Sequence, residues 1–196
     1  MKFLLSHMRA GSHLAAAILG CQPFVAHDEK TGEFIDAGFV TQVISLEADI
    51  WTYYPYNMRL CCHLARMEDI DCYMTLRDPR DIIVSTAHFC EKYPATFLNF
   101  TVDSLKFTQY PLERRIDFLI DDILKDSLFG YERWRQTGLF YPLYFEDMVQ
   151  HPVSQQYENW KRRGDVGSHK DEMTPAQIER STETYRELIE AWQKNL

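Results

Sequence analysis

Three short basic segments could hold anions, and each does so by a different device. Arg9-Ala10-Gly11-Ser12 lies between the apolar run Phe3-Leu4-Leu5 and an alanine-rich stretch. A glycine-bearing turn that runs into a helix amino terminus aims consecutive backbone N–H groups at a phosphate, and an arginine beside it adds a charge-assisted, two-pronged contact. The spacing departs from the GxxxxGKS or GxxxxGKT of nucleotide-hydrolysing loops, so an ordinary strand-to-helix turn stands as the alternative. Arg77-Asp78-Pro79-Arg80-Asp81 is the second segment, with Ser85 eight residues after Arg77. An arginine at a strand end and a serine inside the following helix can face one phosphate by fork and hydroxyl. The alternative is that Arg77 simply pairs with Asp78 or Asp81, as surface ions commonly do. The third segment is Arg162-Arg163-Gly164, within a basic stretch from Lys161 to Lys170 that reads equally as a solvated charged face.

The elements that must position these residues follow from pattern. Lys2–Ser6 reads as a short buried strand and His13–Gly20 as a helix. Gln22–Gly38, with Pro23, Gly32 and Gly38, reads as a loop. Phe39–Leu46, Arg59–Leu64 and Asp71–Leu76 are β-rich runs. Pro79 opens a helix to about Lys92, and Leu112–Gln136 carries apolar residues at helical spacing until Gly138 ends it. Leu139–Phe145 is a further apolar run in which Pro142 argues for a strand edge or bulge, and Glu146-Asp147 opens the next helix. The last helix starts at Thr174-Pro175 and places Ile178, Tyr185, Leu188, Ile189 and Trp192 on one face. Strands alternating with helices predict an α/β fold with a parallel sheet.

Composition narrows the partners. The 196 residues are 45% hydrophobic and 26% charged, which predicts one domain over residues 1–196 with a sizeable core. A net charge of -8 argues against a broad nucleic-acid face, yet Met1–His27 contains Lys2 and Arg9 and no acidic residue. Five cysteines without a CxxC pair suggest neither a disulfide framework nor a zinc ribbon, and favour a reducing, cytoplasmic setting; no metal is assumed. The apolar stretches near the start are too short to span a membrane, so no membrane association is expected.

Taken in order, the three segments resemble the sulfotransferase family that uses 3′-phosphoadenosine 5′-phosphosulfate. The family's first motif, YPKSGTTW, corresponds to His7-Met8-Arg9-Ala10-Gly11-Ser12-His13-Leu14. Its second, RNPxDxxVS, is matched by Arg77 to Ser85, and its third, RKGxxGDWK, is similar to Arg162 to Lys170. Leu143 to Met148 looks like the family's LFYEDM. The resemblance implies a three-layer α/β fold of the P-loop nucleotide-hydrolase type, with a parallel sheet flanked by helices. It implies that residues Arg9 to Leu14 cradle the 5′-phosphosulfate, that Arg77 and Ser85 hold the 3′-phosphate, that Arg162, Arg163 and Gly164 also bind the cofactor, and that Phe145 stands where a tyrosine meets the adenine. Arg9 replaces a lysine and Leu14 a tryptophan that stacks on adenine, so a planar fork replaces a point charge and the stack is weakened.

The implied reaction moves a sulfuryl group to a hydroxyl or amine by in-line displacement, with 3′-phosphoadenosine 5′-phosphate as product. Arg9 would stabilise the leaving group. His63, in Cys61-Cys62-His63-Leu64, resembles the histidine of the family's KTHLP stretch that takes the acceptor proton. Glu47 and Asp49 are the alternative bases, because some carbohydrate-directed members use a carboxylate. The chain is about a third shorter than typical cytosolic members, which suggests a trimmed acceptor side whose open site suits a larger or carrier-attached acceptor, with a small-molecule acceptor as the other partner class. Trp51 to Tyr56 and Phe97 to Tyr110 would supply its aromatic wall, or else belong to the core. A catalytically degenerate nucleotide-binding module of the same fold, and a small-molecule kinase, are the alternatives.

Overall fold

Apolar, β-branched and aromatic residues in consecutive short runs build a five-stranded parallel sheet in the computed structural model, which describes residues 1–23, 49–54, 62–92, 104–154 and 166–193. Its strands are β1 (Lys2–His7), β2 (Gln22–Pro23), β3 (Ile50–Tyr54), β4 (Asp71–Leu76) and β5 (Tyr141–Tyr144), in the order β2-β3-β1-β4-β5. The central strand β1 pairs with β3 from Phe3↔Ile50 to His7↔Tyr54 and with β4 from Lys2↔Asp71 to Leu5↔Met74. Phe3, Leu4 and Leu5 are fully buried, as a strand covered on both faces requires. The two edge strands carry the prolines, Pro23 and Pro142, where a missing N–H breaks no ladder.

The chain packs as two compact units, Met1–Leu76 with Arg133–Arg162, and Arg77–Glu132 with Arg163–Leu196. In the first, the sheet is joined by α1 (Ser12–Leu19), which Gly20 closes in a left-handed conformation (φ 76°) with its N–H turned back to Ala16 and Ala17 carbonyls. Leu14, Ala15 and Ala16 of α1 share a buried cluster with Leu4, Cys21, Phe145 and Met148.

The second unit is helical: α2 (Pro79–Lys92), α3 (Ser104–Gln109), α4 (Leu112–Phe118), a π-helical turn (Leu119–Ile123) and α5 (Lys125–Gln136), whose last residues belong to the first unit. After β5 comes α6 (Phe145–Met148) of the first unit. The second unit then resumes with α7 (His169–Glu172), α8 (Pro175–Thr184) and α9 (Arg186–Trp192). Tyr131 meets Trp192 edge-on at 5.7 Å, and the Tyr185 hydroxyl donates to the Ile120 carbonyl at 2.9 Å.

Several expectations need correction. The predicted 112–136 helix is helical throughout but widens into a π turn, and the helix from Thr174 breaks at Tyr185 (φ -112°, ψ 20°), whose side chain is fully buried. The described part of the Arg59–Leu64 run, residues 62–64, is one helical turn, because only Leu64 is buried while Cys62 and His63 face solvent; half-exposed β-formers without a partner strand do not make a strand. Trp51 to Tyr54, the described part of the Trp51–Tyr56 run, lie in strand β3, and Gln22–Pro23 pairs with that strand instead of starting a loop. The Phe39–Leu46 run lies outside the described residues.

Candidate functional site

β1 delivers the chain to a tight turn at its carboxyl end. The Ala10 N–H donates to the His7 carbonyl at 3.1 Å, and both Arg9 (φ 67°) and Gly11 (φ 92°) take left-handed backbone conformations. For arginine that conformation stores on the order of 1 kcal/mol, a kind of strain found at ligand clamps. Gly11 is required twice over. Any Cβ there would lie 2.8 Å from Phe145 Cδ2 and 3.1 Å from Met148 Cε, so α6 closes directly against the turn. As the residue before α1, Gly11 brings no side chain to cap the first helical turn. Those N–H groups, their dipole and the half-buried Arg9 make a donor set whose chemistry suits a phosphate or sulfate group.

Buried hydroxyls brace this turn. Ser6 Oγ lies 2.7 Å from Ser12 Oγ and 2.6 Å from Thr75 Oγ1, and Ser12 Oγ is 3.4 Å from the His7 carbonyl. One alternating chain of donors, from Thr75 through Ser6 and Ser12 to that carbonyl, ties β4, β1 and the start of α1 together. The His7 ring, almost fully buried, donates from Nδ1 to the Met8 carbonyl at 3.0 Å, and burial lowers its pKa to about 4, leaving it neutral. Partial desolvation and then the charge of Arg9 hold His13 below its ordinary value. Leu14 and Phe145 sit together in the buried cluster behind the turn.

The second unit contains the other predicted pair. Asp78 is taken by Arg80 in a two-pronged contact, Nε to Oδ1 at 3.0 Å and NH2 to Oδ2 at 2.6 Å, with Arg80 NH1 reaching Thr182 Oγ1 at 3.1 Å. Arg77 Nε approaches Asp81 Oδ2 only to 4.0 Å. Asp81 accepts instead from the Gly167 N–H (2.7 Å), the His169 N–H (3.0 Å), His169 Nδ1 (2.7 Å) and Ser168 Oγ (3.3 Å). Burial pushes the Asp81 carboxyl up, but the His169 bond, the Arg77 charge and the backbone N–H groups outweigh it and keep the carboxyl below its ordinary value. Asp81 and Ser85 are one helical turn apart on α2, and both are buried, as is Arg77.

The candidate bases fare differently. His63 is exposed on the 62–64 turn, with its carbonyl accepting from the Arg66 N–H at 3.2 Å. Asp49 lies just before β3 starts, where its carboxylate accepts from the Lys2 N–H at 2.6 Å and lies 3.8 Å from Lys2 Nζ. In a parallel sheet that end is a strand length from the turn after His7, roughly 17 Å for five steps along β1. Glu47, Arg162, Arg163 and Gly164 lie outside the described residues. The sequence reading missed Ser6 and Thr75, although polar residues inside apolar strands are a visible signal. It weighed Asp81 only as one of two alternative ion partners of Arg77, and no local pattern links it to His169.

The strand–turn–helix and the all-parallel sheet define an α/β fold of the P-loop type, and the solved structures give it a closer class. The crystal structure of mouse sulfotransferase SULT7A1 complexed with PAP matches over 97% of this chain and 88% of that chain, with a TM-score of 0.58 and 15% sequence identity. The chain therefore has the sulfotransferase fold, a parallel sheet flanked by helices. No protein-family model matches it, and no curated protein matches it in sequence.

Proposed function

We propose that the protein is a sulfotransferase that moves a sulfuryl group from 3′-phosphoadenosine 5′-phosphosulfate to a hydroxyl or amine. The observation that carries this reading is the turn after β1, with Arg9 and Gly11 both left-handed at an uncapped helix start. It is supported by a fold shared with a PAP-bound sulfotransferase. In this reading the donor supplies an activated sulfuryl group, and the α1 N–H groups and Arg9 hold its 5′ end. Arg9 also balances the charge that grows on the leaving oxygen, and electrostatic stabilisation of that kind is commonly the largest part of such catalysis. Arg77 and Ser85 hold the 3′-phosphate. His63 takes the acceptor proton, and its exposure suits a large or carrier-attached acceptor.

A second reading, a nucleotide-binding module without turnover, is favoured by Leu14: at the position where the family stacks a tryptophan on adenine, its side chain packs into the core. Radiolabelled phosphosulfate donor offered with a panel of phenols, sugars, amines and carrier proteins separates the two. Label transferred to an acceptor supports the enzyme; tight PAP binding with no transfer to any acceptor supports the module. Arg77→Ala is expected to weaken PAP binding at least tenfold while changing adenosine 5′-phosphate binding less than twofold, in isothermal titration. Equal losses for both nucleotides remove the 3′-phosphate role.

A further inference from the structure

The Arg77–Ser85 segment and the loop that carries Gly167 to His169 stand some 80 residues apart in sequence, yet one carboxylate joins them. Asp81 is fully buried and spends both oxygens on that loop: Oδ2 on the Gly167 N–H at 2.7 Å, Oδ1 on the His169 N–H at 3.0 Å, on His169 Nδ1 at 2.7 Å and on Ser168 Oγ at 3.3 Å. Two of these donors are backbone groups, so the carboxylate fixes the path of the loop itself as well as a side chain. Gly167 is left-handed (φ 80°), the conformation in which its N–H turns onto Oδ2. Arg77 Nε stands 4.0 Å from the same Oδ2. At that distance the two groups interact by charge, while the hydrogen bonds of the carboxylate go to the loop. Ser85 follows Asp81 by one turn of α2.

We propose that Asp81 is a positioning residue for recognition of a 3′-phosphate: by locking residues 167–169 to α2 and orienting Arg77, it sets the selectivity for a 3′-phosphorylated adenine nucleotide. This rests on the functional reading above. A carboxylate that merely stabilised the fold would weaken every nucleotide alike, whereas a positioning carboxylate acts on the 3′-phosphate contact alone. It also acts through Arg77, so removing both residues costs less than the two single losses together.

The test is isothermal titration of PAP and adenosine 5′-phosphate into the wild type, Asp81→Asn, Arg77→Ala and the double variant, with folding checked by circular dichroism. Asparagine keeps the shape and an acceptor oxygen but loses the charge and opposes the His169 donor. His169→Gln, which removes one bond and leaves Asp81 charged, serves as the milder variant if Asp81→Asn fails to fold. The expected result is a tenfold or greater loss of PAP affinity in Asp81→Asn, less than a twofold change for adenosine 5′-phosphate, and little further loss on adding Arg77→Ala. A smaller loss of the same selectivity is expected for His169→Gln. If wild type binds PAP and Asp81→Asn binds it equally, or loses both nucleotides equally, the positioning role is overturned while the functional reading stands. The positioning role is likewise overturned if Asp81→Asn does not fold and His169→Gln binds both nucleotides as wild type does. If wild type does not bind PAP at all, the functional reading falls and takes this proposal with it.

Discussion

His7 ends β1 as a neutral imidazole, because burial outweighs the hydrogen bond to the Met8 carbonyl and holds its pKa near 4. The unfolded chain would take that proton near pH 6.5. The folded value lies below the unfolded one, so stability is full above pH 6.5 and is lost as pH falls from 6.5 towards 4, by about 3 kcal/mol over the window. Urea midpoints for the wild type should therefore fall between pH 7 and pH 4.5, and His7→Gln should be flatter across the same range. Parallel pH profiles for the two proteins would show that the ring is not held neutral. Asp81 acts in the next window down: its carboxyl lies below the ordinary value, so its contribution is lost only below about pH 4. Residue identity at these positions was visible in the sequence. Environment was not, since desolvation depends on neighbours that the chain supplies from β4, α1 and α7.

Helix boundaries were legible wherever a local stereochemical device marks them. Pro79 opens α2 and Thr174-Pro175 opens α8 as the sequence predicts. At α8 the device is a full capping box: Thr174 Oγ1 accepts from the Gln177 N–H at 3.3 Å while Gln177 Oε1 accepts from the Thr174 N–H at 3.0 Å. Gln177 Nε2 also reaches the Glu113 carbonyl at 2.9 Å and Asp117 Oδ1 at 3.0 Å, so the cap is also the joint between α8 and α4. Thr174→Ala is expected to cost about 1 kcal/mol in urea unfolding, with Thr174→Ser near wild type. A cost below a few tenths would mean that tertiary packing alone sets the helix start. Where no such device exists the sequence misleads. β-rich residues 62–64 form a helical turn, and nothing local marks the π turn at Leu119–Ile123 or the break at Tyr185.

For the whole molecule, a net charge of -8 and a site for a small polyanion are compatible, because the acid-free first 27 residues carry the turn at Arg9. Among the described residues no helix is long and apolar enough to cross a membrane. PAP at a hundredfold excess over its Kd should add about 2.7 kcal/mol to the native state and raise Tm by several degrees, and adenosine 5′-phosphate at the same concentration should raise it less. Equal shifts from the two nucleotides would argue against any 3′-phosphate selectivity. The sequence by itself determined the alternation of strands and helices, the glycine turn after β1 and the types of residue that could meet an anion. All of these rest on neighbours within a few positions, where periodicity, proline and glycine act. Only the tertiary structure decided that α6 closes on Gly11, that Asp49 faces the opposite end of the sheet from the turn, and that Asp81 belongs to Gly167–His169 more than to Arg77. Each of those depends on contacts between segments far apart in the chain, whose pairing follows from burial and hydrogen-bond satisfaction across the whole fold and leaves no local pattern to read.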